Sequence, residues 1–194
     1  MTPTIAKTAF VLLAVGWWVM RIPHVRRSRR TPVARSARGW REITLLTIST
    51  TGLGIIPFLY IATGFPKVAA YPFQPVQASI GIAVAIAALV MFRLTHKALG
   101  RNWSVSLEVR ENHKLVTDGI YRYVRHPMYT AFWLWAVAQA LLLPNFVAGF
   151  SGIVGFGTLY LFRVAQEERL MIEAFGEPYR TYMARTSRLI PWLI

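Results

Sequence analysis

The sequence predicts an all-α integral membrane protein with about five transmembrane helices, the last two forming a helical hairpin. Three observations predict it. Hydrophobic residues make up 55% of the 194, while 22 Lys and Arg stand against 8 Asp and Glu. A soluble domain of this size has no use for both, so apolar surface and charge are segregated along the chain. Five apolar stretches follow one another, each near the roughly 17–25 residues that cross about 30 Å of hydrocarbon. The basic residues gather between them: Arg21 to Arg41 holds eight arginines, Arg93 to Arg125 seven Lys or Arg, and Arg163 to Arg188 five. With five crossings these three segments fall on one face, and Lys7 and Lys67 on the other. Positively charged loops stay inside, which puts the N-terminus outside and the C-terminus in the cytoplasm.

The first stretch, Ile5–Met20, has the length of a signal-peptide core. Trp17, Trp18 and Arg21 are not a small-residue cleavage site, so a retained helix is expected. Ile43–Gly64 and Val76–Phe92 supply the second and third helices, making residues 1–98 a three-helix unit with a basic cytoplasmic loop over 21–41. Within it, Arg26-Arg27-Ser28-Arg29-Arg30 reads as a solvated loop in contact with anionic lipid. Met128–Leu143 and Val147–Phe162 are separated only by Pro144, Asn145 and Phe146, a linker short enough to make them an antiparallel hairpin. Trp17, Trp18, Trp40, Tyr60, Tyr71 and Trp192 lie near the ends of stretches, where rings with a polar edge favour headgroups. Gly52, Gly54, Gly81, Gly149, Gly152, Gly155 and Gly157 read as points of close helix packing in lipid.

Composition also excludes function classes. Without cysteine there are no disulfides, no thiolate catalysis and no cysteine-ligated metal. His24, His96, His113 and His126 are too scattered for a metal cluster, and no metal is expected. A net charge of +14 calls for an anionic partner, and the long apolar runs make that partner membrane lipid and not nucleic acid.

Polar, aromatic and turn residues crowd into Leu99 to Tyr129. Asp118-Gly119 is a turn signal, and Ser104 to Val109 alternates as a short extended segment does. Pro127 suits the first turn of the fourth helix, with His126 beside the cap. Beyond the fifth stretch, Arg163 and Glu167 are four apart and share a helix face, where they can pair with each other. The hairpin returns them to the surface where His126 and Pro127 sit, so the two clusters line one pocket. Leu170, Met171, Phe175, Tyr179, Tyr182 and Met183 recur at helical spacing, interrupted by Gly176 and Pro178. They predict two short amphipathic pieces on the membrane surface.

Leu99-Gly100-Arg101-Asn102-Trp103-Ser104, the run from His113 to Tyr129, Arg163 with Glu167-Glu168, and the run from Phe175 to Tyr182 together resemble the isoprenylcysteine carboxyl methyltransferase family. Its broader group includes phospholipid methyltransferases. The resemblance runs from Leu99 to Pro191; the first three helices match only in being hydrophobic. It implies a membrane enzyme that transfers a methyl group from S-adenosylmethionine to the carboxylate of a prenylated cysteine, releasing S-adenosylhomocysteine. It implies a methyltransferase core over 99–194, with a cofactor segment at 99–127, the hairpin at 128–166 and an amphipathic C-terminal region at 167–194. The cytoplasmic cofactor pocket is then formed by the 99–129 segment and the C-terminal helices. Carried over by position, the cofactor residues are His113, Lys114, Leu115, Val116, Tyr121, His126, Pro127, Met128, Tyr129 and Glu167, together with Ser106, whose type departs from the family's. Arg163 corresponds to the substrate-positioning arginine, and Arg163 and Glu167 form the catalytic pair.

The residue types suit that chemistry. A carboxylate with a pKa near roughly 3.5 is already ionised at neutral pH, so methyl transfer to it needs no general base. Near-attack positioning is worth up to about 7–11 kcal/mol. Two other readings stand beside this one. A phospholipid N-methyltransferase would need a base such as His126 or Glu167 to deprotonate an ammonium. A non-enzymatic lipid-binding protein would use Arg163 and Glu167 as a structural bridge. The expected acceptor is lipophilic or prenylated and enters from the bilayer; oligomeric state leaves no mark on the sequence.

Overall fold

The computed structural model describes residues 1–29, 33–36, 39–100, 108–110 and 115–193. In chain order these form α1 (Pro3–Arg29), β1 (Val33–Ser36), α2 (Trp40–Thr50), a π-helical turn (Thr51–Ile55), α3 (Ile56–Thr63), α4 (Pro75–Leu99), β2 (Glu108–Arg110), α5 (Pro127–Leu142), α6 (Phe146–Phe175) and α7 (Glu177–Arg185). Among the described residues, four spans are long and apolar enough to cross a membrane: Pro3–Arg26, Trp40–Thr63, Pro75–Leu99 and Phe146–Phe175. The chain is a multi-pass membrane protein. The remaining expected helix, the fourth, is α5, which has 16 residues. It rises about 24 Å, short of the roughly 30 Å of hydrocarbon.

Hydrogen bonds identify two ends of the bundle. At one, β1 pairs antiparallel with β2, Arg35 opposite Val109, and Val124 bridges Ser187. The three basic segments therefore meet at one end. At the other, Ala70 bridges Asn145, and the Tyr71 hydroxyl donates to the carbonyls of Ala140 at 3.1 Å and Leu143 at 3.3 Å. Asn145 serves twice there. Its Oδ1 caps α6 by accepting from the amides of Val147 at 3.0 Å and Ala148 at 2.9 Å, while Nδ2 donates to the Pro66 carbonyl at 2.7 Å. Despite its length, α5 thus runs from the basic end to this one. Aromatic contacts descend α5 and ascend α6: Tyr129 meets Tyr160, and Trp133 meets Phe156.

The tightest crossing lies between the π-helical turn and α6. A Cβ on Gly52 would collide with the Ser151 backbone, and one on Gly155 would lie 2.8 Å from the Ile48 carbonyl oxygen. The turn has a sequence cause. A π-helical bond from the Gly52 carbonyl would go to the amide of residue 57, and Pro57 has none. That carbonyl instead accepts from Gln139 Nε2 at 3.0 Å and Ser151 Oγ at 2.8 Å, so it is not left unbonded among the helices. The remaining core is aromatic: Trp17 of α1 lies 3.9 Å from Phe92, 5.0 Å from Phe132 and 5.2 Å from Trp135 between ring centroids.

Several expectations need correction. The all-α fold carries one small sheet, because β1 and β2 satisfy each other's backbone groups at the basic end. Helix α1 continues past Met20 to Arg29, so the start of the basic loop is helical. Helix α6 runs unbroken to Phe175, since nothing interrupts it before Gly176 at φ 60°; Leu170 to Phe175 are its last turns and not a separate surface piece. Trp17 and Tyr60 are buried and not headgroup anchors, Tyr60 lying under the Lys7 ammonium at 4.5 Å. Gly54 meets nothing within 4 Å. His24 and His96 come together, 4.3 Å between ring centroids, although no metal-binding group of three occurs among the described residues.

Candidate active site

Helix α6 is long enough to hold chemistry clear of the hydrocarbon. Its 30 residues rise about 45 Å. Arg163, its eighteenth residue, stands about 26 Å along the axis from its first, and Glu167 about 32 Å. Arg163 thus lies near the edge of about 30 Å of hydrocarbon and Glu167 and Glu168 beyond it, toward the basic end, and each turns to a different neighbour.

Glu167 faces α5. Its Oε2 accepts a hydrogen bond from the Tyr129 hydroxyl, and its Oε1 lies 3.8 Å from His126 Nδ1. The His126 ring stacks on Tyr129 at 5.3 Å and 16°. Its Nε2 is 3.3 Å from Glu168 Oε1, within hydrogen-bond reach, while Nδ1 makes only the longer contact with Glu167. With 28% of its side chain exposed, Glu167 is the open carboxylate of the two.

Glu168 is nearly enclosed, 6% exposed at the side chain. It accepts from Arg125 Nε at 2.7 Å, Arg188 Nε at 3.1 Å and Arg188 Nη2 at 2.7 Å. The same bonds raise the Arg188 pKa above its ordinary value. They tie the C-terminal strand-like segment to the start of α5. Arg125 N donates to the Ser187 carbonyl at 2.9 Å, His126 N to the Arg188 carbonyl at 3.0 Å, and Thr130 Oγ1 to the Leu189 carbonyl at 2.8 Å. Helix α7 completes the enclosure: the Tyr182 hydroxyl donates to the Tyr121 carbonyl at 2.7 Å. Burial pushes the Tyr182 phenol up to about 12 and Tyr121 well above the usual tyrosine range, so both hydroxyls stay protonated.

Arg163, one turn back on the same face of α6 as Glu167, reaches across to α2. Its Nη2 lies 3.1 Å from Oε1 of Glu42 at the start of α2, both side chains buried. The sequence offered no reason to choose Glu42. The available signal was a lone carboxylate at the edge of an apolar stretch, where ionisable groups are costly and paired. Glu42 also lines an open cleft of about 840 Å³ between the start of α2 and the outer face of α6, with Trp40, Leu45, Phe162, Gln166 and Leu170 among its walls.

Of the residues singled out from sequence, Tyr121, His126, Pro127, Met128, Tyr129, Arg163 and Glu167 come to this end of the bundle, with His126, Tyr129 and Glu167 in contact. Leu115 and Val116 are half-buried beyond β2. Ser106, His113 and Lys114 lie outside the described residues, and with them part of the expected pocket wall.

Residues 80–173 match the family model described as the isoprenylcysteine carboxyl methyltransferase family. A protein-S-isoprenylcysteine O-methyltransferase of Schizosaccharomyces pombe is 37% identical over 45% of this chain and 37% of its own length. The human enzyme of that name is 32% identical over 47% of this chain and 32% of its own. Methyltransferase B of Arabidopsis thaliana is 27% identical over 59% of each. The chain thus spans about a third to three fifths of these relatives. A solved eukaryotic intramembrane Ras methyltransferase, an isoprenylcysteine carboxyl methyltransferase, superposes with a TM-score of 0.51 at 21% identity, covering 80% of this chain and 55% of the other. That superposition carries the likeness of fold into the first helices, and the stretch that matches the isoprenylcysteine carboxyl methyltransferase family model, residues 80–173, holds His126, Tyr129, Arg163 and Glu167.

Proposed function

We propose that the chain is an S-adenosylmethionine-dependent membrane methyltransferase that esterifies the carboxylate of an isoprenylated cysteine or a similar lipophilic thiol acid. One observation carries the reading. A single turn of α6 sets Glu167 against the His126 and Tyr129 cluster and Arg163 against Glu42, which lines the cleft beside α2. A donor arm and an acceptor arm thereby lie one helical turn apart, as transfer between two bound molecules requires.

The donor's chemistry fits the residues on the first arm. Glu167, partly exposed among aromatic rings, suits an ammonium or ribose hydroxyls, and Tyr121, Tyr129 and His126 offer faces and edges for the adenine and methionine portions. Pro127 and Met128 adjoin His126 in the chain, and by the resemblance Leu115, Val116, Ser106, His113 and Lys114 complete the region. When bound, S-adenosylmethionine supplies an electrophilic methyl group and leaves as S-adenosylhomocysteine. On the second arm Arg163 holds the acceptor carboxylate through paired N–H donors. The carboxylate is ionised at neutral pH, so the protein has only to orient it and keep water away. The basic end of the bundle faces the cytoplasm in this reading, with the N-terminus outside. The acceptor's tail stays in the bilayer while its carboxylate reaches Arg163. The 127–175 pair of helices is the hairpin that joins the two arms.

The purified protein in detergent, given labelled S-adenosylmethionine and either a farnesylated cysteine analogue or phosphatidylethanolamine, tests this. Base-labile label on the farnesylated acid is the expected result. Base-stable label on the lipid amine would make the chain a phospholipid N-methyltransferase, and no donor binding would leave a lipid-binding protein.

A further inference from the structure

We propose that Glu42 is a positioning residue whose charge sets how tightly Arg163 grips the acceptor's carboxylate, an inference that rests on the function proposed above. Glu42 lies outside the segment that matches the family model. It is 4% exposed, its Oε1 is 3.1 Å from Arg163 Nη2, and it forms part of the cleft wall. Leu45, Phe162 and Leu170 give that cleft apolar sides beside the charged Arg41, Arg169 and Glu173, so a lipophilic acid entering it meets Glu42 first, with Arg163 directly behind it. Carboxylates repel at such range, and a second one on this guanidinium is held less firmly than the first.

A looser grip favours the reaction. An oxygen of the acceptor carboxylate forms its bond to the methyl carbon as the carbon–sulfur bond breaks, and that bond's electron pair stays on sulfur. A negative and a positive reactant become two neutral products. Any group that stabilises the carboxylate more before reaction than at the transition state raises the barrier. Arg163 is such a group, and Glu42, by taking part of its field, lets it orient the nucleophile without quenching it. A purely structural ion pair predicts something else: its loss would loosen the site for every acceptor.

The test uses the full-length protein with a farnesylated cysteine acid and its methyl ester, first without donor. In Glu42→Gln the acid binds roughly five- to tenfold tighter and the ester is unchanged. Once donor is added, kcat falls by a similar factor while the acceptor KM drops. Unchanged or weaker binding of the acid, an equal shift for the ester, or an unchanged kcat would each overturn the role of Glu42. Should Glu42→Gln not fold, Glu42→Asp, whose carboxylate reaches less far, shows the same pattern at about half the amplitude in logarithmic terms; loss of folding in both assigns a structural role and overturns the proposal. A wild-type protein that methylates no carboxylate acceptor sinks the functional reading itself. Wild-type turnover with unaltered Glu42→Gln binding sinks only this inference.

Discussion

Two adjacent glutamates in α6 have separate tasks, and exchanging each for glutamine separates them. Glu168 accepts three N–H bonds from two arginines and lies 3.3 Å from His126 Nε2, at 6% side-chain exposure. Glutamine keeps the shape and removes the charge, leaving Arg125, itself 11% exposed, without its counter-ion. Breaking a buried pair costs about 3–5 kcal/mol, and the 40% exposure of Arg188 favours the lower figure. At about 2–4 °C per kcal/mol for a chain of this size, Glu168→Gln lowers the unfolding midpoint by roughly 10 °C. It also frees the segment from Thr186 to Leu189, which limited proteolysis detects before global unfolding. Glu167 has one short bond, from Tyr129, and is partly exposed. Glu167→Gln therefore shifts stability by less than about 1 kcal/mol. Thermal unfolding in one detergent, with both variants side by side, decides the matter. Equal midpoints, or a larger loss in Glu167→Gln, would refute the division of labour.

Other substitutions probe the frame. Gly155→Ala places a methyl group 2.8 Å from the Ile48 carbonyl oxygen and forces α2 from α6; unfolding in detergent should register a loss of about 1–3 kcal/mol, whereas Gly54→Ala, in open space, should not. Tyr182 titrates near 12 in the folded protein against about 10 unfolded, so its contribution is complete below pH 10 and disappears as pH rises from 10 to 12. Denaturant midpoints across that range should fall in the wild type and fall less in Tyr182→Phe.

Much of this arrangement is legible in the sequence because it follows from the bilayer. Apolar runs separated by basic segments predict the helices, and the short linker around Asn145 predicts that Tyr129 returns beside Glu167. What is not legible depends on contacts between distant helices. Glu42 carries no spacing relation to Arg163, and its role emerges only when α2 packs on α6 through Gly52 and Gly155. Glu167 and Glu168 read alike as neighbours; a rotation of about 100° between them sends one to Tyr129 and the other to Arg125. Trp17 looks like an interfacial ring because it stands near Arg21, yet α1 continues past both and carries Trp17 into the core against Phe92.

In the proposed function one turn of α6 carries two arms, Arg163 for the acceptor and Glu167 for the donor. Equilibrium binding of S-adenosylmethionine and of a farnesylated cysteine acid to Arg163→Ala and Glu167→Ala tests it most directly. A lost charge-assisted hydrogen bond is worth about 1.5–3 kcal/mol, or about 10- to 100-fold in affinity. Arg163→Ala should weaken the acid by that factor and leave the donor within about twofold, and Glu167→Ala should do the reverse. Equal weakening of both ligands by each substitution, in protein that remains folded, would contradict it.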